Sequence, residues 1–199
     1  MNLPNKITLS RIVLTFFFVV CLFTKGVNAK VFALAIFTLA AVTDYLDGWI
    51  AKKNNLVSNF GRIMDPVADK ALTISAFVAF AIMGIVSEKI VVIIILREIF
   101  VTSLRLKALL EGKVLSAAAA GKQKTVSQMV SILVILVFIL MREAGEGVIP
   151  FWTAGLEYYY AQGIWVMMIL TAILTVVSGV SYFRDNRKYL FGENIPSDE

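Results

Sequence analysis

The chain has 199 residues, of which 59% are hydrophobic and 17% charged, with a net charge of +5. An ordinary soluble domain is roughly 45–50% apolar even with glycine counted, so this composition, with a mean hydropathy of +0.81, excludes a water-soluble chain and implies an integral membrane protein. The lack of His and the single Cys, Cys21, exclude imidazole catalysis, an internal disulfide and Cys-cluster zinc, leaving carboxylates, Lys and Arg, hydroxyls and backbone for chemistry.

Residues 1–8, with Pro4, predict a short amino-terminal interfacial segment. The first helix is expected over 9–27, around the 13-residue uncharged run Ile12 to Thr24. The second, over 30–53, contains an uncharged run of the same length, Val31 to Thr43, that leads directly into Asp44. A spanning helix needs about 20 mostly apolar residues. These two therefore cross only by extending through charged ends. The third helix is expected over 62–86, around the uncharged run Ala71 to Ser87. The fourth, over 88–111, is apolar but interrupted by Arg97, Glu98, Arg105 and Lys107. The fifth is expected over 122–142 and the sixth over 162–184, the latter within the uncharged run Tyr158 to Phe183.

The resulting architecture is all-α: a polytopic integral membrane protein with six transmembrane helices, forming one domain over 1–199. Val27-Asn28-Ala29 after the first apolar run resembles a secretory cleavage site. The next span follows within a few residues, which favours a retained helix. With six spans, 14 Lys and Arg fall on the side shared by both termini and 4 on the other. The positive-inside rule then places both termini in the cytoplasm. Trp152 and Tyr158 to Tyr160 fall near the opposite interface, where aromatic rings favour the headgroup zone. The basic residues form no dense run, so membrane lipid, and not nucleic acid, is the expected partner.

The most informative segment joins the second and third helices. Asp44 and Asp47 are three apart and Asp65 and Asp69 four apart, so each pair shares one helix face. A short connection predicts antiparallel neighbours whose cytoplasmic ends bring the four carboxylates together. One central charge in a membrane costs about 2.5–3.5 kcal/mol on insertion scales, less near the interface. Protonation of some members, or a divalent cation, offsets that cost. Asp oxygens suit Mg²⁺, Mn²⁺ or Ca²⁺, and four carboxylates can hold two ions, an arrangement suited to phosphate displacement. A structural charge network or an ion pathway are the alternatives. Gly48 and Gly61 beside the cluster allow either close approach to a bulky ligand or close helix packing.

The pattern Asp44-x-x-Asp47-Gly48-x-x-Ala51-Lys52-x8-Gly61-x3-Asp65-x3-Asp69 resembles the signature of the CDP-alcohol phosphotransferase family. It departs at one position, because that family usually has Arg where this chain has Lys52. Arg binds phosphate as a planar fork and Lys as a point charge. Asn2 to Arg11, Met64 to Lys70, Leu96 to Ile99 and Gly121 to Thr125 resemble the phosphatidylglycerophosphate synthase branch of the family. The resemblance implies a homodimer and a site open to the cytoplasm, holding Mg²⁺ or Mn²⁺, with two ions expected. It implies Asp44, Asp47, Asp65 and Asp69 as metal ligands, with Asp69 also the general base. It places Asn5, Thr8, Gly48, Ala51, Lys52 and Gly61 at the CDP group.

The donor implied is CDP-diacylglycerol and the acceptor sn-glycerol 3-phosphate. The acceptor's phosphate needs cations, and Arg97, Arg105, Lys122 and Lys124 are the candidates. Positions 97 and 105 are a little over two helical turns apart and can share a face. The alternative is that Arg97 pairs with a carboxylate such as Glu98 and that the lysines snorkel. Serine, inositol phosphate and phosphatidylglycerol are rival acceptors, since the signature reads only the shared donor. An ion-coupled transporter is the rival outside enzymology, but neither repeated halves nor interrupted helices are evident.

Overall fold

A computed structural model describes residues 3–54, 59–111, 119–145 and 148–187, with side chains at 10–43, 70–111, 121–145 and 148–187. Among the described residues there are six helices and no strand: α1 (Leu3–Phe23), α2 (Val27–Asn54), α3 (Asn59–Ile82), α4 (Glu88–Leu110), α5 (Ala119–Ala144) and α6 (Ala154–Asp185). The all-helical expectation holds, most boundaries move by one to four residues, and the starts of α1 and α6 move further.

The first turns of α1 begin at Leu3 and take in most of the segment expected to lie apart at the interface. Pro4 is compatible with this, because a helix's first turn has no use for its missing N–H. The third helix ends at Ile82, four residues early. There Gly84, at φ 70°, takes the left-handed conformation, and the Ile85 N–H donates to the Phe80 carbonyl at 3.0 Å. This closes the helix in the manner expected of a C-terminal glycine. The sixth helix starts at Ala154, eight residues early. Thr153 caps it, its hydroxyl accepting from the Leu156 N–H at 3.3 Å, and Glu157 lies in the first turn, where the helix dipole favours a negative charge.

The helices pack as a bundle. α1 lies against α2 and α3, α3 against α4 and α5, and α5 against α2 and α6, while α4 closes on α6. Phe18 meets Phe37 with centroids 5.7 Å apart, joining α1 to α2. Phe77, Phe80, Ile94, Ile132, Ile135 and Ile164 continue the buried core across the other four helices. Trp152 is buried beneath Phe138 and Tyr160, whereas Tyr158 and Tyr159 are exposed. The turn between α1 and α2 is fastened by buried Lys30, which donates to the Leu22 and Thr24 carbonyls at 2.6 and 2.7 Å. The Gly26 N–H also donates to the Glu143 carboxylate at the end of α5.

Large apolar side chains face outward on the described helices, including Phe16, Phe32, Leu39, Ile82, Leu96, Val126 and Leu170. Meanwhile Glu98, Lys124, Gln128, Ser131, Thr171, Thr175 and Ser178 are buried. This inside-out distribution suits a hydrocarbon surround, where polar groups must find partners within the protein. Among the described residues, two helices are long and apolar enough to cross a membrane, over 121–144 and 154–185. Shorter apolar stretches occupy Ser10–Phe23, Val27–Thr43 and Lys70–Ile82.

Candidate active site

The backbone places Asp44, Asp47, Gly48, Ala51 and Lys52 on the last turns of α2. Gly61, Asp65 and Asp69 fall on the first turns of α3, and Asn5 and Thr8 on the first turns of α1. α1 packs against both α2 and α3. The side chains of these ten residues lie outside the described ones. Among the described residues no three acidic or Cys side chains gather as a metal site.

A second polar cluster begins one residue after Asp69, at Lys70. Its centre is Glu98 of α4, 2% exposed. Lys124 of α5, equally buried, is in direct contact with the Glu98 Oε1. Arg97 reaches the same oxygen through Nη1 at 3.3 Å, and Lys70 of α3 approaches the Glu98 Oε2 at 3.8 Å. Gln128 of α5, one turn beyond Lys124, donates from Nε2 to Glu98 at 3.3 Å and to the Thr175 hydroxyl of α6 at 3.4 Å. Three cations thus surround one carboxylate. A single buried carboxylate could not stand alone here. Stripped of partners, its desolvation costs several kcal/mol.

The second edge of Arg97 turns to α6. Its Nη2 donates to the Ser178 hydroxyl at 2.8 Å. Gly179 makes room for this approach, since a Cβ there would lie 3.2 Å from the Arg97 Cγ. Arg105 also turns to α6, its guanidinium carbon 5.7 Å from the centre of the Tyr182 ring. Deeper in the bundle, Thr171 bonds Ser127 at 2.7 Å and Ser131 at 2.9 Å, tying α5 to α6.

The four cations expected to serve one phosphate are therefore placed differently. Arg97 and Lys124 converge on Glu98, and Arg105 stands along the same α4–α6 seam. Lys122 is exposed. The pairing of Arg97 with Glu98, weighed as an alternative from the sequence, is present. Lys70, Gln128, Ser178 and Tyr182 were not among the expected site residues. A partial signal was available. Lys124, Gln128 and Ser131 recur at helical spacing in α5, and Thr171, Thr175, Ser178 and Tyr182 do so in α6, so each set marks one polar face within an apolar span.

Comparison with known proteins gives a coherent result. Residues 1–177 match the family described as CDP-alcohol phosphatidyltransferase. A Bacillus subtilis protein named CDP-diacylglycerol–glycerol-3-phosphate 3-phosphatidyltransferase is 35% identical, covering 97% of this chain and 99% of its own. A Rickettsia felis protein of the same name is 31% identical, covering 94% and 97%. A Mycobacterium tuberculosis protein named probable phosphatidylglycerophosphate synthase is 36% identical, covering 91% and 79%.

Proposed function

The chain belongs to the CDP-alcohol phosphatidyltransferase family, and we propose that it transfers the phosphatidyl group of CDP-diacylglycerol to sn-glycerol 3-phosphate, releasing CMP and forming phosphatidylglycerophosphate. The observation that carries this reading is similarity, over nearly the whole of both chains, to proteins named for that reaction. The buried cluster around Glu98 supports it. Cations gathered there suit the dianionic phosphate of glycerol 3-phosphate, as they would that of inositol phosphate, whereas serine offers a zwitterion.

In the reaction, the free primary hydroxyl of the acceptor attacks the phosphorus that carries diacylglycerol. A new P–O bond forms there, and the bond from that phosphorus to the bridging oxygen breaks. CMP leaves with the bonding electrons. Asp69, in the first turns of α3, takes the hydroxyl proton. Lys52, Gly48, Ala51 and Gly61 line the CDP group, with Asn5 and Thr8 covering it from α1. Arg97 and Arg105 bind the acceptor's phosphate, and Lys124 and Lys122 add positive charge at the start of α5. Asp44, Asp47, Asp65 and Asp69 form an all-oxygen donor set on two helix ends, which fits Mg²⁺ or Mn²⁺. Two bound ions would supply charge neutralisation at the pyrophosphate.

The six helices span the membrane, with both termini and the site in the cytoplasm, and the protein works as a homodimer. The outward apolar side chains and the Lys/Arg asymmetry support the spanning reading. The deciding experiment is CMP release by purified protein from CDP-diacylglycerol against glycerol 3-phosphate, serine, inositol phosphate and phosphatidylglycerol. Turnover restricted to glycerol 3-phosphate is the expected result. Preference for another acceptor would reassign the acceptor and keep the family chemistry.

A further inference from the structure

Two of the buried polar atoms without a hydrogen-bond partner, Arg97 Nε and Tyr182 Oη, belong to the same α4–α6 seam. Tyr182 is 3% exposed. A long side chain on a helix leans toward the N-terminal turn, here the turn of Ser178, whose hydroxyl already holds Arg97. Tyr182 and Arg105 are both among the groups that act electrostatically on Arg97. Arg105 in turn stands over the Tyr182 ring. The remaining nitrogens of Arg97 are committed, Nη1 to Glu98 and Nη2 to Ser178. A Cβ at Gly179 would lie 3.6 Å from the Arg97 Nε, so the glycine lets α6 approach that donor closely.

A buried polar group left unpaired costs about 1–3 kcal/mol, more if charged, and native structures seldom tolerate one without a reason. Here two such donors occur together beside a second guanidinium. An acceptor oxygen would satisfy both, and the neighbouring guanidinium of Arg105 favours an anionic one.

We infer that Tyr182 is an acceptor-binding residue, its hydroxyl and the Arg97 Nε jointly receiving oxygen of the acceptor's phosphate while Lys124 stays committed to Glu98. The inference rests on the glycerol 3-phosphate reading above and narrows it. The phosphate is bound from the α4–α6 seam, and Lys122 and Lys124 contribute charge from the start of α5 without binding it.

The test is Tyr182→Phe in the full-length protein, which deletes one oxygen and keeps the ring beneath Arg105. Three quantities are compared with wild type: the KM for glycerol 3-phosphate, the KM for CDP-diacylglycerol and the thermal unfolding midpoint. A hydrogen bond to a charged group predicts a rise of about tenfold or more in the acceptor KM, with the donor KM within twofold. Because the hydroxyl has no partner within the protein, the midpoint should hold or rise. A purely structural tyrosine would behave the opposite way, with a lower midpoint and both KM values moving together, and that result overturns the inference. So does an acceptor KM within twofold of wild type. Wild-type turnover judges the underlying reading separately: if wild type uses only acceptors without phosphate, that reading fails and this one with it.

Discussion

Lys124 of α5 and Glu98 of α4 meet as an ion pair in which both side chains are almost wholly buried. They are 26 positions apart in the chain, and Gln128, one turn beyond Lys124, holds the same carboxylate. This pair joins α5 to α4, Lys70 adds α3, and Gln128 extends the network to Thr175 on α6. The cluster ties four helices together next in sequence to Asp69.

Removing one partner leaves the other buried without its counter-charge. Glu98→Gln should therefore destabilise the protein by about 3–5 kcal/mol, the usual cost of breaking a buried pair from one side. The double substitution Glu98→Gln with Lys124→Met should recover a large part of that loss. Thermal unfolding in a fixed detergent measures both. Equal midpoints for wild type and Glu98→Gln would show that the pair contributes nothing.

Divalent cations should be required for turnover, because an all-carboxylate donor set on two helix ends suits a hard divalent ion. Chelation should abolish CMP release, and added Mg²⁺ or Mn²⁺ should restore it. Asn at Asp44, Asp47 or Asp65 keeps the shape and loses the charge, so the metal concentration for half-maximal activity should rise. Undiminished turnover after rigorous chelation would remove the metal site from the mechanism.

Asp69→Asn should separate binding from chemistry. With the proton acceptor gone, kcat should collapse while CDP-diacylglycerol still binds, as read by equilibrium binding of the labelled donor. Lys52, by contrast, is expected to act on the donor alone. Lys52→Arg should be tolerated, and Lys52→Ala should raise the donor KM more than the acceptor KM. An effect of Lys52→Ala confined to the acceptor would place that residue in the wrong half of the site.

Arg97→Ala and Arg105→Ala should each lower acceptor efficiency by roughly 10–100-fold, the range of a charge-assisted contact, with donor binding retained. Lys122→Ala should cost less, because that side chain is exposed where Arg97 is held by Glu98 and Ser178. Efficient use of free glycerol in place of glycerol 3-phosphate would overturn the acceptor assignment.

The amino-acid sequence by itself determined the helical class, the apolar exterior and the signature. These are local properties. Apolar runs seek hydrocarbon regardless of their neighbours, and Asp44 with Asp47, like Asp65 with Asp69, share a face because the helical period dictates it. Helix ends were less legible. The expected end of α3 and start of α6 missed Gly84 and Thr153, the residues that close the one helix and cap the other.

What the tertiary structure alone decided is which polar faces meet. Nothing in the sequence joins Lys70, Glu98, Lys124 and Gln128, because their pairing depends on how α3, α4 and α5 rotate against one another. Nor does spacing reveal that Arg97 spends two of its nitrogens on Glu98 and Ser178, leaving Nε beside Gly179. Helical periodicity orders residues along one face. The partner of that face is set by packing between helices, where a buried charge is tolerated only if another helix brings its counterpart.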